Sequence, residues 1–219
     1  MDAMKLDNLE KDTNQPKIPL TMTMEEYEAL PEGVYAEVID GVVYRMYGVT
    51  PDIPDELEKF AGVYGMASPS IQHQDIVGEL YMEINSYLRS KKGNCKAFIS
   101  PLDIEIKSDP TTVVQPDLFV VCDKSKLEGR TVKGSPDWVI EIVSPSNIES
   151  DYIRKLQLYH AAGVREYWII NPMDETIIVY DWDEENFQLD KYSFHDTIHS
   201  VIYPDLAIDF ESINTRVNG

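Results

Sequence analysis

Asp117 follows a proline at the head of an apolar run, Leu118 to Val121, and Glu141 interrupts a second run between Val139-Ile140 and Ile142-Val143. Burying a carboxylate in such a strand is costly unless something compensates its charge. Either acid alone is a folding liability. Two of them at equivalent depth on neighbouring strands are hard oxygen donors suited to Mg²⁺ or Mn²⁺, with water and a substrate phosphate completing the coordination. Downstream, Asp151, Lys155 and Tyr159 recur every fourth residue and share one helix face. That spacing fits two readings equally. One is an exposed Asp-Lys pair worth about 0.3–0.5 kcal/mol. The other brings Lys155 back beside Glu141, where an ammonium orients the attacking water and offsets charge building on a phosphate. Two strand acids and a helix lysine together are the kit of metal-dependent phosphodiester hydrolysis.

The elements that must position these residues follow from pattern. Thr23-Met24-Glu25-Glu26 is a capping box opening a short helix, which must stop near Pro31-Glu32-Gly33. Val34 to Ile39 and Val42 to Tyr47 are β-rich runs joined by Asp40-Gly41, a hairpin signal that places Glu37 in mid-strand. Ser68-Pro69-Ser70 precedes a helix over about 71–89, whose Ile76, Leu80, Ile84 and Leu88 recur at helical spacing. His73 falls in its first turn, where a histidine is more often a capping or packing residue than a base.

Two strands, Lys96 to Lys107 and Val113 to Cys122, flank the turn Ser108-Asp109-Pro110-Thr111. A turn centred near Pro110 sets Asp103 opposite Asp117, and opposed like charges in a sheet need a cation, a proton or more distance. Trp138 to Val143 reads as a buried strand, followed by a helix over about 148–162 ended by Gly163. Tyr167 to Asn171, Thr176 to Trp182 and Phe187 to Phe194 form a β-meander, and the stretch from Asp205 to Ile213 adds a short strand or helical cap. His160, His195 and His199 lack partners at ligand spacing, which argues against zinc.

The 219 residues, 43% of them hydrophobic, suit one domain with a real core. Residues 1–20 are polar and aperiodic and predict a mobile tail, with the domain spanning 21–219. The stretch 48–62, with Pro51, Pro54 and several acids in no pattern, reads as a loop or an appended helical turn. Cys95 and Cys122 have no metal-ligand spacing and are read as free thiols of a cytoplasmic protein. No leader-like or membrane-spanning run is present, so neither secretion nor membrane insertion is expected. Against 19 Lys and Arg stand 39 Asp and Glu, a net charge of −20. Such a chain repels nucleic acid as a whole, although a divalent cation can neutralise a site locally.

Several segments carry a family resemblance: Gln115-Pro116-Asp117-Leu118, Gly134-Ser135-Pro136-Asp137, Glu141-Ile142-Val143-Ser144-Pro145-Ser146, Asp151, Lys155, Tyr159 and Gly163-Val164-Arg165-Glu166-Tyr167-Trp168. In order and spacing these resemble the Uma-type restriction endonuclease family of the PD-(D/E)xK nuclease superfamily, from about Glu26 to Phe210, against which the 48–62 stretch stands out as an insertion loop. The resemblance implies an α/β fold with a restriction endonuclease-like core, a mixed β-sheet flanked by helices, here with the additional β-meander. It matches Asp117 to the proline-aspartate motif and Glu141 to the acid of the next strand. The superfamily lysine two residues further on is Val143 here, and Lys155 stands as its substitute. The resemblance also points to Glu37 as a third acid lining the site, against the alternative of an ordinary hairpin carboxylate. Asp103, His73 and Asp151 are auxiliary candidates.

The expected function is hydrolysis of DNA phosphodiesters by a Mg²⁺- or Mn²⁺-activated water. Asp117, Glu141 and Glu37 would serve the metal, with Lys155 polarising the nucleophile or the scissile phosphate. Superfamily members generally cut duplexes with two sites, and the Tyr-rich meander offers apolar surface, so a homodimer is expected. The alternative is a non-catalytic module that keeps the nuclease fold for protein assembly or nucleic-acid sensing, which the charge and Val143 favour. A hydrolase of small phosphate esters fits less well, because no phosphate-cradling loop is visible.

Overall fold

The computed structural model describes residues 20–48, 69–107, 110–144, 149–183 and 186–218. Nearly all of the expected tail and of the insertion at 48–62 lies outside them. The first helix, α1 (Met24–Glu28), opens on the expected capping box: Thr23 Oγ1 accepts from Glu26 N at 3.2 Å, and the Glu26 carboxylate accepts from Thr23 N at 2.8 Å. β1 (Val34–Ile39) and β2 (Val42–Gly48) form the expected hairpin, with Asp40 and Gly41 both at positive φ, as a two-residue I′ connection requires. α2 (Ile71–Lys91) follows, N-capped by Ser70.

Next, each of the two expected long strands splits. The first becomes β3 (Lys96–Ile99) and β4 (Asp103–Lys107), the second β5 (Thr112–Val114) and β6 (Leu118–Val121). The breaks fall at Pro101 and Pro116, residues that cannot donate to a sheet ladder. There the chain passes from one sheet to the other, since β3 and β6 pair in one and β4 and β5 in the other. Asp117 lies directly at the second crossing. The register Ile104↔Val114 and Glu105↔Val113 brings Asp103 beside Gln115, not opposite Asp117, and the Gln115 amide donates to the Asp103 carboxylate. The expected clash of two acids is therefore absent, because the crossing shifts the pairing.

A small hairpin, β7 (Leu127–Glu128) and β8 (Thr131–Lys133), precedes β9 (Trp138–Ile142) and α3 (Glu149–Ala161). The meander is β10 (Glu166–Asn171), β11 (Thr176–Asp183) and β12 (Asn186–Ser193). A short pair, β13 (Thr197–His199) and β14 (Ala207–Asp209), leads into α4 (Phe210–Asn218). Among the described residues two six-stranded sheets result, β2-β1-β5-β4-β8-β7 and β12-β11-β10-β9-β6-β3, each with one parallel pair among antiparallel ones. The parallel pair β9 and β10 is bridged by α3, as such a pair demands. The fold is thus mixed α/β, with helices flanking the sheets.

Alternation along the strands assigns the faces. Leu118, Val120, Trp138, Ile140, Ile142, Trp168 and Ile170 pack on one side with Ile76, Leu80 and Ile84 of α2. Phe119, Val121, Val139 and Tyr167 point to the other side, where Tyr159 of α3 and Ile104 and Val132 of the second sheet join them. By the same parity Asp117 and Glu141 belong to this second face. No described helix is long and apolar enough to cross a membrane.

The cysteines depart from expectation. β3 and β6 pair antiparallel with Lys96↔Val121, and one residue further Cys95 and Cys122 are joined by a disulfide. The pairing of the two strands brings together thiols that their count alone left apart. They no longer argue for a reducing compartment.

Glu166, fully buried at the start of β10, ties the meander to the loop after β13. Its carboxylate accepts from Trp168 Nε1 at 2.7 Å, Ser200 Oγ at 2.8 Å and Ile202 N at 3.0 Å. Burial raises its pKa, while these donors oppose the shift. Removing an acceptor of this kind strands several buried donors, so Glu166→Ala is expected to cost about 3 kcal/mol in urea unfolding, and a loss below about 1 kcal/mol contradicts the assignment.

Candidate active site

The antiparallel register Leu118↔Ile140 between β6 and β9, continued by one residue, sets Asp117 opposite Glu141. Two carboxylates so placed repel, and each has been given its own partner. Ile142 N donates to Asp117 Oδ2 at 2.7 Å, and His73 Nε2 stands 3.2 Å from the same oxygen. An ionised carboxylate only accepts, so the proton of this contact lies on Nε2. Burial, the largest single influence, lowers the His73 pKa, but the hydrogen bond and charge of Asp117, the charge of Glu141 and the backbone at Ile142 together outweigh it and the net shift is upward. The position of His73 follows from Ser70, whose hydroxyl caps its amide at 3.1 Å and fixes the first turn of α2 against Asp117.

Glu141 meets α3. Lys155 Nζ lies 3.0 Å from Glu141 Oε1, and Tyr159 donates to that same oxygen at 2.9 Å. Residues four apart on a helix share a face, which is why both reach one carboxylate. Lys155 Nζ also stands 2.8 Å from Glu37 Oε1 of β1, a charge contact without the angles of a directed hydrogen bond. Glu37 and Lys155 are 3% exposed and Glu141 5%. The ammonium therefore sits between two buried carboxylates contributed by different sheets.

Desolvation is the largest influence on Glu141 and pushes its pKa up to about 7; Lys155 pulls it down, while Asp117 and Glu37 push it up further. Burial, followed by the charge of Glu141, likewise holds the Tyr159 phenol well above its usual value. Lys155 thus offsets the effect of burial and of the neighbouring acids on Glu141 only in part. Among the described residues, no three His, Cys, Asp or Glu side chains stand close enough to enclose a metal ion.

Glu37, Asp117, Glu141, Lys155 and His73 are accordingly brought together. Asp103 is not: it lines a cleft of about 540 Å³ between α1, β1, β4 and β8, together with Glu28, Glu105 and Arg130. Asp151 precedes Lys155 by one turn on α3, and its side chain lies outside the described residues. Sequence reasoning assigned no role to Tyr159, although its place one turn after Lys155 on the same face was the available signal.

Residues 52–211 match the model of the Uma2 family, described as "Putative restriction endonuclease". The match starts inside the stretch read as an insertion and includes Asp117, Glu141 and Lys155, leaving Glu37 before it. The crystal structure of a "putative nuclease belonging to DUF820" from Anabaena variabilis superposes with a TM-score of 0.66 at 18% identity, covering 90% of this chain and 99% of that one. At that identity the likeness is one of fold. No protein of curated function matches the chain.

Glu141 binds its proton more tightly folded than unfolded, since its folded value of about 7 exceeds the unfolded value of about 4.3. The stability this contributes is complete below the unfolded pKa and is lost as pH rises through the folded one. Glu141→Gln fixes the neutral form, so its thermal midpoint is expected to rise relative to the parent protein's between about pH 5 and about pH 8. A difference that stays constant across that range contradicts the account.

Proposed function

Given that this chain belongs to the Uma2 family, we propose that it is a metal-dependent endonuclease hydrolysing phosphodiester bonds of DNA. The carrying observation is the juxtaposition of Asp117 with Glu141 on one apolar sheet face, with Lys155 3.0 Å from Glu141. Mg²⁺ is commonly held by one or two carboxylates plus substrate phosphate and keeps several waters, so a pair of acids without a closed cage fits it. The upward shift of Glu141, caused first by burial and added to by the charges of Asp117 and Glu37, fits it too, because a bound divalent cation would favour the ionised form. Asp117 and Glu141 would hold the ion, Mg²⁺ or Mn²⁺, which when bound supplies Lewis acidity and an acidified water.

The remaining work falls to the chain's own side chains. Lys155 offsets charge developing on the scissile phosphate in a site where low polarity strengthens the interaction. Tyr159 and Lys155 fix one oxygen of Glu141, and His73 with Ile142 N fixes one of Asp117, so both acids are oriented before substrate arrives. Glu37 anchors the lysine. Duplex cleavage would require two such sites, which a homodimer supplies.

One observation favours the second reading, a non-catalytic nuclease-fold module: Lys155 stands within ion-pair reach of both Glu37 and Glu141, which partly neutralises the centre without any metal. Plasmid nicking in Mg²⁺ or Mn²⁺, combined with calorimetric titration of Mn²⁺, separates the two. The endonuclease reading predicts nicking by the parent protein, reduced at least about 100-fold in Asp117→Ala, and Mn²⁺ binding lost in Glu141→Ala. Equal nicking by parent and variant, or no Mn²⁺ binding by the parent, overturns it.

A further inference from the structure

A charge of −20 is hard to reconcile with a nucleic-acid substrate unless cations are concentrated where the strand must pass. The hairpin of β1 and β2 provides such a place. Its register runs Glu37↔Arg45 and then Val38↔Val43, so Tyr44 is an extra residue and both Tyr44 and Arg45 oppose Glu37. A bulge of this kind re-aims side chains and is common beside active sites. Two contacts fix where these side chains go. Arg45 Nε lies 4.0 Å from Glu37 Oε2, its side chain still 33% exposed. The Arg154 guanidinium lies over the Tyr44 ring, 3.7 Å from its centre, and Arg154 immediately precedes Lys155 on α3.

We infer that Tyr44, Arg45 and Arg154 form the nucleic-acid contact surface of this site, the two guanidinium groups meeting backbone phosphates of the strand held over Asp117 and Glu141. The inference rests on the nuclease reading above. Guanidinium suits the task, being permanently charged, weakly hydrated and matched to phosphate oxygens, and stacking on an aromatic face orients its plane. Arg45 beside Glu37 and Arg154 next to Lys155 thus add positive charge at the edge of the acidic centre, within a chain that is strongly acidic as a whole. The competing basic surface, Lys124, Lys126 and Arg130, belongs to the β7-β8 end of the same sheet, at the edge opposite β2.

The test is fluorescence anisotropy of the full chain with a labelled single strand and its duplex in Ca²⁺, over about 50 to 200 mM salt. Arg45→Ala and Arg154→Ala are each expected to weaken binding several-fold and to lower the slope of log affinity against log salt by about one. Arg154→Lys should retain the slope, and Arg130→Ala should match the parent, with circular dichroism verifying the fold of each. Unchanged slopes in Arg45→Ala and Arg154→Ala, or a slope lost only in Arg130→Ala, overturn the surface while leaving the nuclease reading intact. A parent protein that binds Mn²⁺ but neither oligonucleotide overturns both.

Discussion

The site depends on one compensation: an ammonium placed among carboxylates that the fold has removed from water. Glu37 and Glu141 come from strands whose other residues are nearly all core, and Asp117 stands half-buried just before β6; an uncompensated charge within such a strand costs several kcal/mol or is lost to protonation. Lys155 answers two of the three directly, at 2.8 and 3.0 Å. The third acid, Asp117, is served by His73 and a backbone amide. Local architecture then follows. β6 must cross between sheets at Pro116 to bring Asp117 opposite Glu141, α3 must lie over the second face of the sheet, and the start of α2 must be capped so that His73 meets Asp117.

Taking the lysine from a helix, not the strand, has a structural consequence. Val143 stands two residues beyond Glu141, so by strand parity a lysine there would project to the same face. Lys155 reaches that face from above, on the crossover that joins β9 to β10. Its position is thereby tied to the packing of α3 through Tyr159, which touches both Glu141 and the ring of Tyr167. The same helix carries Arg154 onto Tyr44, coupling the β1-β2 hairpin to the face that holds Glu141.

Much of this was legible in the sequence, and for physical reasons. The capping box at Thr23, the Asp40-Gly41 turn, the helical spacing from Ile76 to Leu88 and the three strands of the meander are local signals, and each produced its element. The acids were legible because a charge within an apolar run has few explanations. What escaped depended on long-range pairing. The prolines at 101 and 116 were visible, but not that the chain changes sheets there, which shifts Asp103 to Gln115 and into another cleft. The Cys95–Cys122 bridge exists only once β3 and β6 are in register. The bulge at Tyr44 leaves no mark in a run that reads as an ordinary strand.

The proposed function makes Asp117 and Glu141 two halves of one cation site, with Lys155 at its side. Anomalous diffraction from a crystal of the protein grown or soaked in Mn²⁺ tests this most directly. A Mn²⁺ peak within coordination distance of both carboxylates, with Lys155 still beside Glu141, is the predicted result. Lys155 alone between the acids at saturating Mn²⁺, or a peak elsewhere on the chain, would contradict it.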